Sequence, residues 1–153
     1  MPLTLYQQKR NFKKTSEPKP IIKKSSSKNK KLIYTIHEHH ASHLHWDLRL
    51  EINGVLKSWA IPKSPPTEKN IKRLAIQVED HPISYANFEG TIPEGNYGAG
   101  KVIIWDKGTY ELKEKSNNKI EIILNGKKLK GNYVLIKTDY TKNKNSWLFF
   151  KTP

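Results

Sequence analysis

Between His43 and Glu51 apolar and charged residues alternate strictly: Leu44, Trp46, Leu48 and Leu50 take the even positions, and His43, His45, Asp47, Arg49 and Glu51 the odd ones. A period of two predicts a β-strand that carries one apolar and one charged face. Asn53-Gly54 then marks a tight hairpin, and a return strand is predicted over Val55–Ile61, ending at Pro62. Residues 72–79 alternate again, with Leu74, Ile76 and Val78 on one side and Arg73, Ala75, Gln77 and Glu79 on the other. Residues 90–100 form a glycine-rich loop, followed by a strand at 101–106, a turn at Lys107-Gly108 and a strand at 109–113. Strands at 119–124 and 127–137 are expected to pair through Asn125-Gly126, and Ser146–Lys151 supplies the last one. Many short strands, frequent turns and no long amphipathic helix predict a mainly-β, single-domain antiparallel β-barrel. In such a barrel the charged face of the 43–51 strand would line an interior cavity or mouth.

The first 31 residues behave differently. Residues 5–15 suit a short helix or arm anchored by Tyr6 and Phe12, while 16–31 are polar, lysine-rich and proline-containing, as a mobile linker is. The expected organisation is therefore a basic arm over 1–31 and a barrel over 32–153.

Charge follows the same division. The net charge of +14 is concentrated in residues 1–31, which hold ten Lys/Arg against one acid. That excess points to a polyanionic partner, nucleic acid ahead of a membrane surface. Cysteine is absent, which excludes disulfides and thiol chemistry and suits a reducing cytoplasm. Neither a signal peptide nor a membrane span is expected.

Chemistry gathers at one place. Five of the six histidines fall between His37 and Glu51. His45 and Asp47 share a strand face about 7 Å apart, close enough to converge on one ion. A turn before His43 would swing in His39 as a third ligand. A solvated strand face favours Lys, Glu and Thr over such a row, and Arg49 adds a planar cationic fork suited to phosphate. An open, catalytic metal site is the reading that fits; the lack of cysteine counts against a structural zinc site. Residues 95–100 do not lead from a strand into a helix, so these glycines are read as turn residues and not as a phosphate cradle.

The quoted stretches also carry a resemblance. H-x5-H-x-D-x-R-L from His39, G-V-L-K-S-W-A-I-P-K from Gly54, K-R-L-A-I-Q-V-E-D-H-P-I-S-Y-A-N-F-E-G from Lys72 and I-P-E-G-N-Y-G-A-G from Ile92 closely resemble the 3′-phosphoesterase domain of bacterial DNA ligase D. The resemblance implies a β-barrel enzyme with manganese that heals 3′ ends in nonhomologous end joining. It would remove a terminal ribonucleoside to leave a 3′-phosphate, then hydrolyse that phosphate to a 3′-hydroxyl. By motif position it implies His39, His45 and Asp47 as metal ligands, Arg49 and His81 as phosphate contacts, and Tyr85 as an active-site tyrosine. Arg73 falls on a further basic position of that pocket. The arm resembles the family stretch R-D-F-x-x-T-x-E-P, which implies Arg10, Asn11 and Glu17 as substrate contacts; Asn11 stands where the family has Asp, and His37 where it often has Gln.

Manganese rests on the resemblance alone, because mixed imidazole and carboxylate ligands also accept Zn²⁺, Fe²⁺ or Co²⁺. The implied partners are DNA or DNA–RNA primer–template 3′ ends, with a separate DNA ligase and end-joining factors. Two other classes compete. A cupin-type metal oxygenase would leave Arg49 unexplained, and a non-catalytic nucleic-acid-binding barrel would leave the whole His/Asp/Arg row unexplained.

Overall fold

The structure, a computed structural model, describes residues 3–18, 31–139 and 141–153. Most of the expected linker therefore lies outside the described residues. The elements are a short helix α1 (Thr4–Gln8) and strands β1 (Leu32–His40), β2 (Leu44–Ile52), β3 (Val55–Ile61) and β4 (Lys72–His81). A 3₁₀ turn (Ile83–Asn87) follows, then β5 (Gly90–Ile92), β6 (Gly100–Lys115), β7 (Lys119–Gly126), β8 (Lys130–Lys137) and β9 (Ser146–Lys151). All strand pairs are antiparallel in the order β1-β2-β3-β4-β9-β8-β7-β6, and β1 pairs with β6 to close an eight-stranded barrel. β5 adds only to the edge of β6.

The apolar row of β2 fills this barrel. Leu48 and Leu50 pack with Tyr34, Ile36, Trp59, Tyr133, Trp147 and Phe149, drawn from strands all around the ring. Each large side chain so buried contributes roughly 1.5–3 kcal/mol. The charged row consequently lies on the outer face, not in an interior cavity or mouth. A barrel of eight strands is just wide enough to be filled by its own side chains.

A second apolar cluster covers that outer face. Leu3 and Tyr6 from the arm, Ile83, Tyr85 and Phe88 around the 3₁₀ turn, and Ile92 and Val102 form it, with Phe12 packed alongside. Although the barrel strands start at Leu32, the arm is part of the folded body: Tyr6 is 0% exposed and its hydroxyl donates to the carbonyl of Pro18. The resulting roof makes a buried site on the outside of a barrel.

Several turns differ from expectation. Asn53-Gly54 does close the β2–β3 hairpin, both residues having positive φ (53° and 82°). Lys107-Gly108, in contrast, lies within the continuous β6. Gly108 is needed there for close approach, since a Cβ would come within 2.2 Å of the Asn125 carbonyl oxygen. The β7–β8 turn falls after Asn125-Gly126, at Lys127-Lys128. Asp106 organises it by accepting from the backbone N–H groups of Lys127, Lys128 and Leu129 and from the Tyr34 hydroxyl (2.7–3.1 Å). Asp106→Ala would strand several of these donors, and each bond to a charged acceptor is worth roughly 1.5–3 kcal/mol. Thermal unfolding should show a loss of about 3 kcal/mol or more; an unchanged Tm would mean that other contacts hold the turn.

Candidate active site

The β1–β2 hairpin brings the ligand-type residues together. Its register sets His39 opposite His45 and His37 opposite Asp47. His39 thus arrives by cross-strand pairing, not through a swing of the turn before His43. One ligand atom from each of His39, His45 and Asp47 lies within 4.8 Å of the others. Asp47 Oδ2 is 3.2 Å from His45 Nε2 and 3.5 Å from His39 Nδ1.

Backbone carbonyls fix both imidazoles. His39 Nε2 donates to the Gly98 carbonyl at 2.7 Å, and His45 Nδ1 donates to the His43 carbonyl at 3.1 Å. Each ring then turns a lone pair, from His39 Nδ1 and His45 Nε2, toward Asp47. Three acceptors converging with no donor among them suit a cation, and the carbonyl-held second nitrogens are what oriented metal ligands have. The protonation tendencies agree. Burial would raise the Asp47 pKa, but Arg49, His39 and His45 overturn this and hold the carboxyl well below the usual range. Burial would lower the His45 pKa, yet Asp47 more than offsets it, so a proton competes for the place a metal would take. His45 is 24% exposed, which leaves the triad open on one side.

Beside the triad lies a cavity of about 250 Å³ that its residues share with Arg10, Arg49, His81 and Tyr85. Arg49 is buried and fully engaged. Its Nε donates to His37 Nδ1 (3.2 Å), its Nη1 donates to Ser58 Oγ (2.9 Å), and its Nη2 lies 3.5 Å from Asp47 Oδ2. Its guanidinium stands 4.9 Å from the Tyr85 ring centre. His37 must be neutral to accept from Arg49, and its Nε2 donates to the Phe88 carbonyl at 3.0 Å. Burial, followed by the Arg49 charge, pushes its pKa down to about 3. His81 lies between two cations, with Nε2 3.2 Å from Arg10 Nη2 and Nδ1 3.2 Å from Arg49 Nη1. Burial, Arg49 and Arg10 in that order hold its pKa well below the usual histidine value.

The arm completes the wall. Glu17 is a buried hub that accepts from Arg10 Nε at 2.7 Å, Tyr85 Oη at 2.8 Å and Thr15 Oγ1 at 3.1 Å. Glu79 accepts from Arg10 Nη1 at 3.1 Å and Lys9 Nζ at 3.3 Å. Burial keeps the Tyr85 phenol protonated, with its pKa well above the ordinary value. Two guanidiniums, a neutral imidazole and a phenol beside a cation-seeking triad form a setting for a phosphate ester.

A family model for the DNA ligase D 3′-phosphoesterase domain matches residues 37–137. The chain belongs to this family. It is a hydrolase acting on 3′ ends. Its relatives include the multifunctional non-homologous end joining protein LigD of Pseudomonas aeruginosa, 44% identical over 155 residues that cover 98% of this chain and 18% of the relative. The multifunctional non-homologous end joining DNA repair protein LigD of Mycobacterium tuberculosis is 45% identical over 150 residues, covering 95% and 19%. The LigD protein of Mycolicibacterium smegmatis is also 45% identical, with coverage of 95% and 20%. The chain thus spans about a fifth of the length of these relatives. Among the described residues no helix is long and apolar enough to cross a membrane.

Two residues singled out in the sequence stand apart from the cavity beside the triad. Arg73 pairs with Phe149 and shares a face with Ala75, the β4 residue that enters the barrel core, whereas Leu74, Ile76 and Val78 are half-buried on the other face. The Arg73 side chain points away from the cavity and donates through Nε to the Ser64 carbonyl at 2.8 Å. Asn11 is exposed, and its side chain accepts from the Lys13 N–H at 3.1 Å within its own loop. It lines a neighbouring depression, not the cavity at the triad.

Others were missed. Ser58 was legible in principle, because a two-residue turn at Asn53-Gly54 sets it opposite Arg49. Glu79 ends an alternating strand with nothing to mark it as the partner of arm cations. His37 drew attention only as a departure from the family's Gln, yet it fixes Arg49. His37→Leu should lower kcat about 10- to 100-fold with metal affinity unchanged, the usual range for residues that support a site indirectly. His37→Gln, which can accept and donate at the same places, should stay near wild type. Equal losses in both variants would contradict this role.

Proposed function

We propose that this domain is a metal-dependent phosphoesterase of the ends joined in nonhomologous end joining. It would remove 3′-terminal ribonucleosides and then 3′-phosphates to leave a ligatable 3′-hydroxyl. One observation carries the reading: the His39/His45/Asp47 lone pairs converge beside a cavity lined by Arg49, Arg10 and His81. Manganese is the ion proposed. When bound, it would supply Lewis-acid polarisation of a phosphate oxygen.

The remaining work falls to side chains. Arg49, held on three sides, presents a fixed positive charge to the phosphoryl group without reorganising during the reaction. Arg10, locked between Glu17 and Glu79, does the same from the arm. The Tyr85 phenol, kept protonated, donates a hydrogen bond only as far as Glu17 releases it. His81 begins neutral. A phosphate dianion offsets the two neighbouring guanidinium charges and raises the proton affinity of its ring. A ring so protonated could serve the departing oxygen once the phosphate draws Arg10 Nη2 away from Nε2. A DNA ligase that seals the product and end-joining factors that present the ends are the partners proposed.

Product analysis on a primer–template ending in one ribonucleotide tests the reading. The expected course with Mn²⁺ is loss of the terminal nucleoside, transient 3′-phosphate, then 3′-hydroxyl. A primer that stays intact with every divalent ion would overturn it.

A further inference from the structure

Tyr97 stands on the rim between the metal-type cavity and a second depression of about 420 Å³, and it lines both. It is 47% exposed, the aromatic residue among the exposed large apolar side chains of the described residues. Its position is nonetheless fixed. Lys9 Nζ donates to its hydroxyl at 3.3 Å and lies 4.5 Å from its ring centre, while Lys9 is itself held by Glu79. On the other side Tyr97 directly precedes Gly98, whose carbonyl orients His39. A solvent-facing ring is therefore locked to the metal-type triad through one residue and to the Arg10–Glu79 wall through another.

Lys9, Arg10 and Lys14 line the depression beyond the ring together with Glu94, and the buried carboxylates of Glu79 and Glu17 hold Lys9 and Arg10 in place. Cations alternating with an exposed aromatic ring are what single-strand sites use, the ring stacking a base and the cations following the backbone.

Resting on the phosphoesterase reading, we propose that Tyr97 is the stacking platform for the base of the nucleoside whose 3′-oxygen carries the reacting phosphate. In ribonucleoside removal, where the P–O5′ bond breaks, two nucleosides flank that phosphate. The departing one ends the strand and carries no further phosphate, whereas the retained one continues into a phosphodiester backbone. A depression with three cations fits the retained side. The 3′-terminal base of the retained strand lies on Tyr97, and its next phosphate runs toward Lys14. Because stacking uses the π-face that every base has, the site is tolerant of sequence.

The test measures steady-state phosphate release from three single-stranded DNA substrates with Mn²⁺. One ends in a normal 3′-phosphate nucleotide, one in a 3′-phosphate on an abasic tetrahydrofuran residue, and one in a single ribonucleotide. For the normal substrate Tyr97→Ala should raise KM about 5- to 150-fold, matching roughly 1–3 kcal/mol per stacked base, with kcat little changed. Tyr97→Phe should restore KM. On the abasic substrate, wild type and Tyr97→Ala should perform alike. An equal loss on normal and abasic ends would show that the residue acts only through the loop that holds His39, and would overturn the proposal. A loss confined to ribonucleoside removal would place the ring under the departing nucleoside and overturn it as well. Inactivity of the wild-type protein on these substrates and on a 3′-phosphorylated primer–template would instead sink the phosphoesterase reading itself.

Discussion

Asp47→Ala is expected to lower metal affinity by at least about 100-fold and bring both 3′-end activities to background. Substituting residues that only support metal ligands typically costs 10- to 100-fold, and a ligand should cost more. Asp47 is the one carboxylate of the triad, and its Oδ2 faces the free lone pair of each imidazole. Without it, two neutral nitrogens remain next to the Arg49 cation, a poor place for a divalent ion. The fold should survive, because the other face of β2 supplies Leu48 and Leu50 to the barrel core. Asp47→Asn keeps the shape and removes the charge, so it should fail in the same way. Isothermal titration with Mn²⁺ reads the affinity directly. Near wild-type binding by either variant would remove Asp47 from the ligand set.

Arg49→Ala should separate catalysis from metal binding. Loss of a fixed charge at a transferring phosphoryl group costs kcat about 100- to 1,000-fold. Its guanidinium also repels an ion at the triad, Nη2 being 3.5 Å from Asp47 Oδ2. Metal affinity should accordingly stay level or tighten. The substitution leaves His37 Nδ1 and Ser58 Oγ without their donor, so a modest fall in Tm is expected. A collapse of metal affinity together with activity would mean that Arg49 positions the ligands and does not serve the phosphate.

The outline of this site was legible because β2 encodes it in a period of two. His45, Asp47 and Arg49 are neighbours along one strand, and a strand has only two faces. Which of those faces looks inward was not legible. Both rows are buried, the apolar one by the barrel and the charged one by the arm and the 3₁₀ turn. That second burial depends on contacts across about seventy residues, such as Arg10 with Glu79 and Tyr85 with Glu17. Local pattern carries no trace of them, and a lysine-rich arm looks like a tether until Tyr6 and Glu17 are seen underneath Tyr85 and Arg10. Turn errors have a different origin. Gly108 answers to crowding by a neighbouring strand, and Asp106, not Asn125-Gly126, sets the bend at residues 127–128. Arg73 fell on a matching motif position, but the β4 register turns its face away from the cavity.

The claim that one divalent ion at His39, His45 and Asp47 drives 3′-phosphate hydrolysis meets its most direct test in a reconstitution. Chelator-stripped protein is titrated with Mn²⁺ while bound metal per chain and phosphate release from 3′-phosphorylated DNA are followed together. The expected result is an inert stripped protein whose activity rises in proportion to occupancy and levels off at about one ion per chain, with Asp47→Asn inert throughout. Full phosphate release by the stripped protein, or by Asp47→Asn, would contradict the account.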